Sequence, residues 1–241
     1  ASTAAHHELT RLCLEAGKHV LVEKPIAATA AQAADLVRLA EQKGLVLQVG
    51  YLERFNPAFQ ACLPHITSPQ FIDCVRIASF RERGTDVDVV LDVMSHDLDL
   101  VLSLVPSEVR QVHAVGIPFK TQQTDLANVR LVFENGCVAN LTASRISQKM
   151  ERKMRLFQRE AYFSLDFVEP SARMLAARKD ARGEAEHTFG VEKGDALLVE
   201  IQAFLHSVRS GDRPAVDGAS ALRTMIVAER LHADILANPL P

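Results

Sequence analysis

Cysteine is sparse and badly spaced for chemistry. The four in 241 residues, Cys13, Cys62, Cys74 and Cys137, never fall into a C-x-x-C pattern. They read as small buried hydrophobes in a reducing compartment, so the expected location is cytoplasmic and no metal is assigned. No apolar run reaches the roughly 18 residues that span a bilayer, so no membrane partner is expected. The opening Ala1-Ser2-Thr3-Ala4-Ala5-His6-His7 lacks a charged region followed by an apolar one and does not read as a signal peptide. The 27 Lys and Arg residues stand against 30 Asp and Glu, for a net charge of −3, and form no long basic run. A nucleic-acid partner is therefore not expected. Internal repeats and low-complexity tracts are absent too, as is any Gly-x-Gly-x-x-Gly turn for a dinucleotide pyrophosphate.

What remains is an ordinary globular balance of 48% hydrophobic and 24% charged residues. The first 50 residues alternate helix and strand. A helix over His7–Ala16 places Leu9, Leu12, Cys13 and Ala16 on one stripe and ends at Gly17. Val20-Leu21-Val22 and Leu45–Val49 are short apolar runs, as in strands buried on both faces. Between them Thr29-x-x-Gln32 is a capping box for a second helix, which Gly44 ends. Helix–strand–helix–strand with buried strands means parallel α/β.

After Pro57 the rhythm changes. Phe71–Phe80, Gln111–Ile117, Ala127–Phe133, Lys153–Phe157 and Tyr162–Phe167 read as strands of an antiparallel or mixed sheet, and Cys137–Ala143 returns across Glu134-Asn135-Gly136 as a hairpin arm. Helices are expected near Val90–Val105, Ala196–Val208 and Gly218–Leu236, the last two capped by Asp195 and Asp217. The fold class is thus α/β plus α+β. A partial parallel unit over 1–56 precedes a unit over 57–241 whose large open sheet is packed by helices.

Three stretches carry candidate chemistry. Glu23-Lys24-Pro25 directly follows a buried strand, where open parallel sheets hold ligands, and Pro25 keeps Lys24 out of helical geometry. The competing reading is a pair of solvated loop charges. Asp92 and His96 stand at i and i+4, so a carboxylate can fix the tautomer of an imidazole and raise its basicity. Asp99 and Ser103 continue that face, opposite the apolar stripe Leu91, Met94, Leu98, Val101 and Val105, and an ordinary wet helix face would look the same. Gly50 to Pro57, with Tyr51, Arg54 and Asn56, follows the second buried strand and could equally be a linker.

His6 before a helix, Gly17–Pro25 ending in E-K-P, Val49-Gly50-Tyr51, Arg54-Phe55-Asn56-Pro57 and Asp92-x-x-x-His96, in that order, resemble the glucose–fructose oxidoreductase/inositol dehydrogenase (Gfo/Idh/MocA) family along essentially the whole chain. The resemblance implies a nicotinamide-dependent oxidoreductase, using NAD or NADP, that acts on a sugar alcohol. Lys24, Asp92 and His96 would be its catalytic group and, with Tyr51 and Asn56, its substrate contacts. His6, Glu23, Lys24, Pro25 and Arg54 would line the cofactor. In the implied mechanism His96 takes the hydroxyl proton, Asp92 supports His96, and Lys24 stabilises the alkoxide. Ser2 stands where the family usually has proline, a departure in the cofactor loop.

Glu53–Pro57, Asp125–Asn128 and Phe133–Arg145 are similar to members that oxidise the 3-hydroxyl of UDP-N-acetylglucosamine. Polar residues on the Asn140 strand would face a sugar nucleotide, or simply form the outer face of the sheet. A dehydrogenase of a free sugar, polyol or dihydrodiol and a non-catalytic scaffold are the alternatives. The family's usual pairing of subunits implies a homodimer or homotetramer. Its fold begins with strands and a phosphate turn not found here, so about 70 residues, a little over two βαβ units of about 30 each, are expected upstream. The chain alone is expected to be inactive for want of that phosphate cradle.

Overall fold

The computed structural model describes residues 1–80, 87–177 and 184–239. Helix α1 (Thr3–Glu15), strand β1 (Val20–Glu23), helix α2 (Ala30–Lys43) and strand β2 (Leu47–Gly50) form the first unit. β1 and β2 pair in parallel, from Val20 opposite Leu47 to Glu23 opposite Gly50. Thr29 caps α2 by accepting from the Gln32 N–H, while the Gln32 side chain accepts from the Ala28 N–H, so the expected box closes one residue early. Gly44 ends the helix at φ 62°.

A 3-10 turn at Leu52–Phe55 leads to α3 (Pro57–Cys62), capped by the Asn56 side chain. Then come β3 (Pro69–Ile77), a π-helical turn (Val90–Met94), α4 (Ser95–Leu104), β4 (Val109–Ile117), β5 (Leu126–Phe133) and β6 (Val138–Ser144). The chain continues through β7 (Glu151–Gln158), β8 (Ala161–Asp166), β9 (Ser171–Ala177), β10 (Glu184–Phe189), α5 (Ala196–Ser210) and α6 (Gly218–Ala237). The last eight strands form one sheet ordered β10-β9-β8-β7-β3-β6-β5-β4. It is antiparallel except where β3 runs parallel to β6. The β5–β6 hairpin turns at Gly136, whose φ of 86° suits a residue without Cβ.

Two cores result. The larger lies between the inner face of the big sheet and α4, and includes Ile72, Cys74, Leu98, Leu131, Leu141, Met154 and Phe163. The smaller packs Leu14, Val22, Leu36, Val49 and Phe55 with Val216, Ala221 and Met225 from the far end of the chain. α6 therefore joins both, since its Val227, Ala228, Leu231 and Ile235 belong to the larger core. The Val49 N–H donates to the Val216 carbonyl at 3.0 Å, fixing that return.

Several expectations are corrected. α1 buries His6, Thr10 and Leu14, leaving Leu9, Leu12 and Cys13 exposed. The helix is rolled by the buried His6 ring, whose Nδ1 lies 2.7 Å from the Pro25 carbonyl. β9 and β10 were not legible; in β9, Ala, Met, Leu and Arg in Ser171–Ala177 favour helix and are held extended by β8 and β10 on either side. The helix expected over Val90–Val105 opens as a π-turn.

α5 inverts the usual amphipathic rule. Leu197, Leu198, Val199, Ile201 and Leu205 are exposed, while Glu200 and Ser207 are buried. The Glu200 carbonyl accepts from the Gln48 amide of β2, but its own carboxyl Oε1 has no hydrogen-bond partner. Burial, reinforced by the nearby Glu23 charge, pushes the Glu200 carboxyl up to about 7 from its ordinary 4.5. The folded state thus holds a proton that the unfolded chain releases between those values, so this group destabilises the fold as pH rises through that window. Glu200→Gln is expected to raise the unfolding temperature at pH 8 and to gain little at pH 4. Thermal melts at both pH values check this, and an equal gain at each would count against it.

Candidate active site

β1 delivers Glu23-Lys24-Pro25 to the carboxyl end of the small parallel sheet, with a cis Lys24–Pro25 peptide. Gly50 lies beside Glu23, and a Cβ there would come within 2.9 Å of the Glu23 carboxylate and 3.3 Å of its Cα. A side chain there would have to push the Glu23 carboxylate aside and would crowd its Cα.

From the opposite side, α4 brings His96 and the π-turn brings Asp92. Lys24, Asp92 and His96 line one cavity of about 320 Å³, with Arg76, Arg145, Arg152, Ser79 and Met150 among its other walls. The Lys24 ammonium donates to the Asp92 main-chain oxygen and stands 3.4 Å from its carboxylate. Asp92 therefore serves Lys24. The expected Asp92–His96 pairing is not formed, because the π-turn sets the Asp92 carbonyl and carboxylate toward the stronger cation. Such turns recur at functional sites.

His96 has a buried Nδ1 without a hydrogen-bond partner, and its ring meets Tyr51 edge-on at 6.2 Å between centroids. Burial lowers the His96 pKa well below 6.5, and the Lys24, Arg76 and Arg152 charges push it the same way. The imidazole is neutral at pH 7. Burial also lowers the Lys24 pKa, against the opposing pull of Asp92.

The remaining candidates stand behind the cavity wall. Tyr51 is wholly buried, with a hydroxyl that has no hydrogen-bond partner among the described residues, and it backs His96. Asn56 is likewise buried, capping α3 and bonding Glu53. Arg54, expected at the cofactor, forms a two-pronged pair with the buried Asp99 of α4. His6 spends its Nδ1 on the Pro25 carbonyl and so holds the E-K-P loop from behind. Pro25 is buried and Glu23 exposed. On the Asn140 strand, Asn140 bonds Arg130 and Thr142 bonds Asn128, all on the outer face of the sheet.

Sequence reasoning missed a row of guanidiniums. Arg152, Arg76 and Arg145 stand at one end of the adjacent strands β7, β3 and β6, with Arg76 directly opposite Arg152 in register. Arg76 is 3% exposed and binds both oxygens of Asp97 as well as Glu53 at 2.7 Å. Burial works against its charge, but Asp97 and Glu53 more than offset that and raise its pKa. Arg145 is held by Asp125 at 2.8 Å, by the Val87 carbonyl and by Thr121. A signal existed: Arg76 follows Ile72 and Cys74 at an inward position of an alternating strand, where a charge requires a buried partner.

A small parallel sheet whose strand end meets a helix-borne histidine, over a cavity floored by a large mixed sheet, defines a two-unit oxidoreductase architecture. Residues 1–51 match the profile of the oxidoreductase family with an NAD-binding Rossmann fold, and residues 74–164 match the GFO/IDH/MocA C-terminal domain. The chain is 32% identical over 240 residues to UDP-N-acetylglucosamine 3-dehydrogenase of Acidithiobacillus ferrooxidans, covering 98% of this chain and 77% of that protein. The solved structure of that enzyme superposes with a TM-score of 0.93 over 98% of this chain and 77% of the other. Myo-inositol 2-dehydrogenase of Thermotoga maritima is 25% identical over 252 residues, 94% of this chain and 73% of that one. The chain belongs to the Gfo/Idh/MocA family of NAD-binding oxidoreductases.

Removing one partner of a buried ion pair strands the other charge, at a cost of about 3–5 kcal/mol. Asp97→Ala should lose stability of that order in a denaturant titration, because Arg76 would keep only Glu53. A loss under about 1 kcal/mol, the range of exposed pairs, would show that Arg76 is not truly desolvated.

Proposed function

We propose that the protein transfers a hydride between a secondary-alcohol carbon of a nucleotide sugar and NAD(P). Residues 1–56 would serve the cofactor and 57–241 the substrate, with α6 tying the two. The observation that carries this reading is the convergence of the Lys24 ammonium and the neutral His96 imidazole on one cavity beyond the end of β1. The printed activity of the Acidithiobacillus relative supplies the substrate class.

The nicotinamide, when bound, supplies the hydride acceptor. Glu23, Lys24 and Pro25 would hold it, with His6 fixing the loop from behind. His96 takes the hydroxyl proton of the sugar, for which the neutral imidazole is already in the required form. Lys24 stabilises the alkoxide that results, and Asp92 fixes the ammonium through two acceptors so that it need not reorganise as charge develops.

A positioned base contributes about 10²–10⁴-fold, so in a full-length background that carries the phosphate cradle His96→Ala should lower kcat by that range while leaving cofactor affinity within a few-fold. Steady-state rates with UDP-sugars, and fluorescence titration of the reduced nicotinamide, provide the two readouts. Unchanged turnover would remove His96 from the mechanism.

The acid limb of kcat/KM reports the base of the free enzyme. Because the folded environment disfavours imidazolium, that limb is expected below pH 6.5 and should disappear in His96→Gln. A limb above pH 6.5 would mean that the titrating base is another group.

A further inference from the structure

We propose that Arg152 is the residue that binds a phosphate group of the substrate, and so selects phosphorylated sugars over neutral ones. The proposal rests on the sugar-oxidation reading and adds to it the group that reads the substrate's charge.

Among the described residues, four cations line the cavity, Lys24, Arg76, Arg145 and Arg152, against the carboxylate of Asp92. A neutral polyol needs no such excess. Three of the cations are already committed: Lys24 to Asp92, Arg76 to Asp97 and Glu53, and Arg145 to Asp125. Arg152 differs. Its side chain is 39% exposed, and among the described residues its ionic contact is a Glu53 oxygen 3.5 Å away that Arg76 already holds at 2.7 Å.

Its position is also unfavourable without a ligand. Arg152 faces Arg76 directly across the β3–β7 pair, and like charges so placed destabilise a sheet. Glu53 contacts both guanidiniums, and Asp97, bound to Arg76, adds a second negative charge nearby. A guanidinium fork with unspent donors, at the rim of a cavity and repelled by its neighbour, matches the two-pronged recognition of a phosphoryl group. The charge that depresses the His96 pKa comes partly from Arg152, so an anion bound there would also restore basicity to the imidazole. A lysine could not offer the planar fork.

The test compares wild type with Arg152→Ala and Arg152→Lys on a UDP-sugar and on the same sugar without its nucleotide. A charge-assisted two-pronged contact predicts that Arg152→Ala raises KM for the UDP-sugar about 10–100-fold, with kcat changed far less. The preference for the UDP-sugar should fall by the same factor, the KM for the nicotinamide should stay constant, and Arg152→Lys should recover only part. An equal loss on both sugars would mark a structural role and overturn the proposal, as would no change on either. A raised nicotinamide KM alone would assign Arg152 to a cofactor phosphate and overturn it as well.

If the protein in a full-length background oxidises no sugar, the sugar-oxidation reading fails, and calorimetric titration with UDP and with inorganic pyrophosphate decides the phosphate site separately. Binding by wild type that weakens about 10-fold or more in Arg152→Ala supports the site. Absent or unaltered binding overturns it.

Discussion

Burial of the Arg76 guanidinium is the constraint on which the site depends. Its side chain leaves the middle of the large sheet and grips Asp97 on α4 and Glu53 on the turn after β2. Asp97 is the neighbour of His96 in sequence, and Glu53 follows the strand that pairs with β1. One cation thus fixes the histidine helix and the lysine strand relative to each other. Arg54 with Asp99 repeats the tie two residues further along α4. Buried ion pairs do not stabilise strongly relative to apolar packing, yet they penalise any arrangement that separates their members. Here that penalty protects the geometry of a cavity shared by two units.

The same charges set the chemistry of the cavity. Cations around His96 hold it neutral, while Asp92 keeps the Lys24 ammonium in place despite its burial. Burial lowers the pKa of both groups, and the site thereby holds a neutral imidazole able to accept a proton beside a Lys24 amine that Asp92 holds for stabilising an anion.

Much of this was legible in the sequence because it is written in local patterns. The capping box at Thr29, the Glu134-Asn135-Gly136 turn and the strand alternations specify elements whose energetics are largely short-range. Glu23-Lys24-Pro25 and His96 could be placed because a strand end and a helix face fix their surroundings. What escaped was long-range. The partner of Asp92 is 68 residues away, just past the end of β1, and no spacing rule gives it. β9 takes its conformation from β8 against its own composition. Tyr51 looked like a site residue because it borders the strand end, but its ring is swallowed by the smaller core. The inward arginines could have been suspected from strand alternation, though not their partners.

The account is tested most directly by a crystal structure of the protein with reduced nicotinamide and a UDP-sugar bound. It predicts the reacting hydroxyl within hydrogen-bond reach of both the Lys24 ammonium and the His96 imidazole, in the cavity floored by Arg76. A sugar seated elsewhere, with Lys24 and His96 both more than one intervening water away from the hydroxyl, would contradict it.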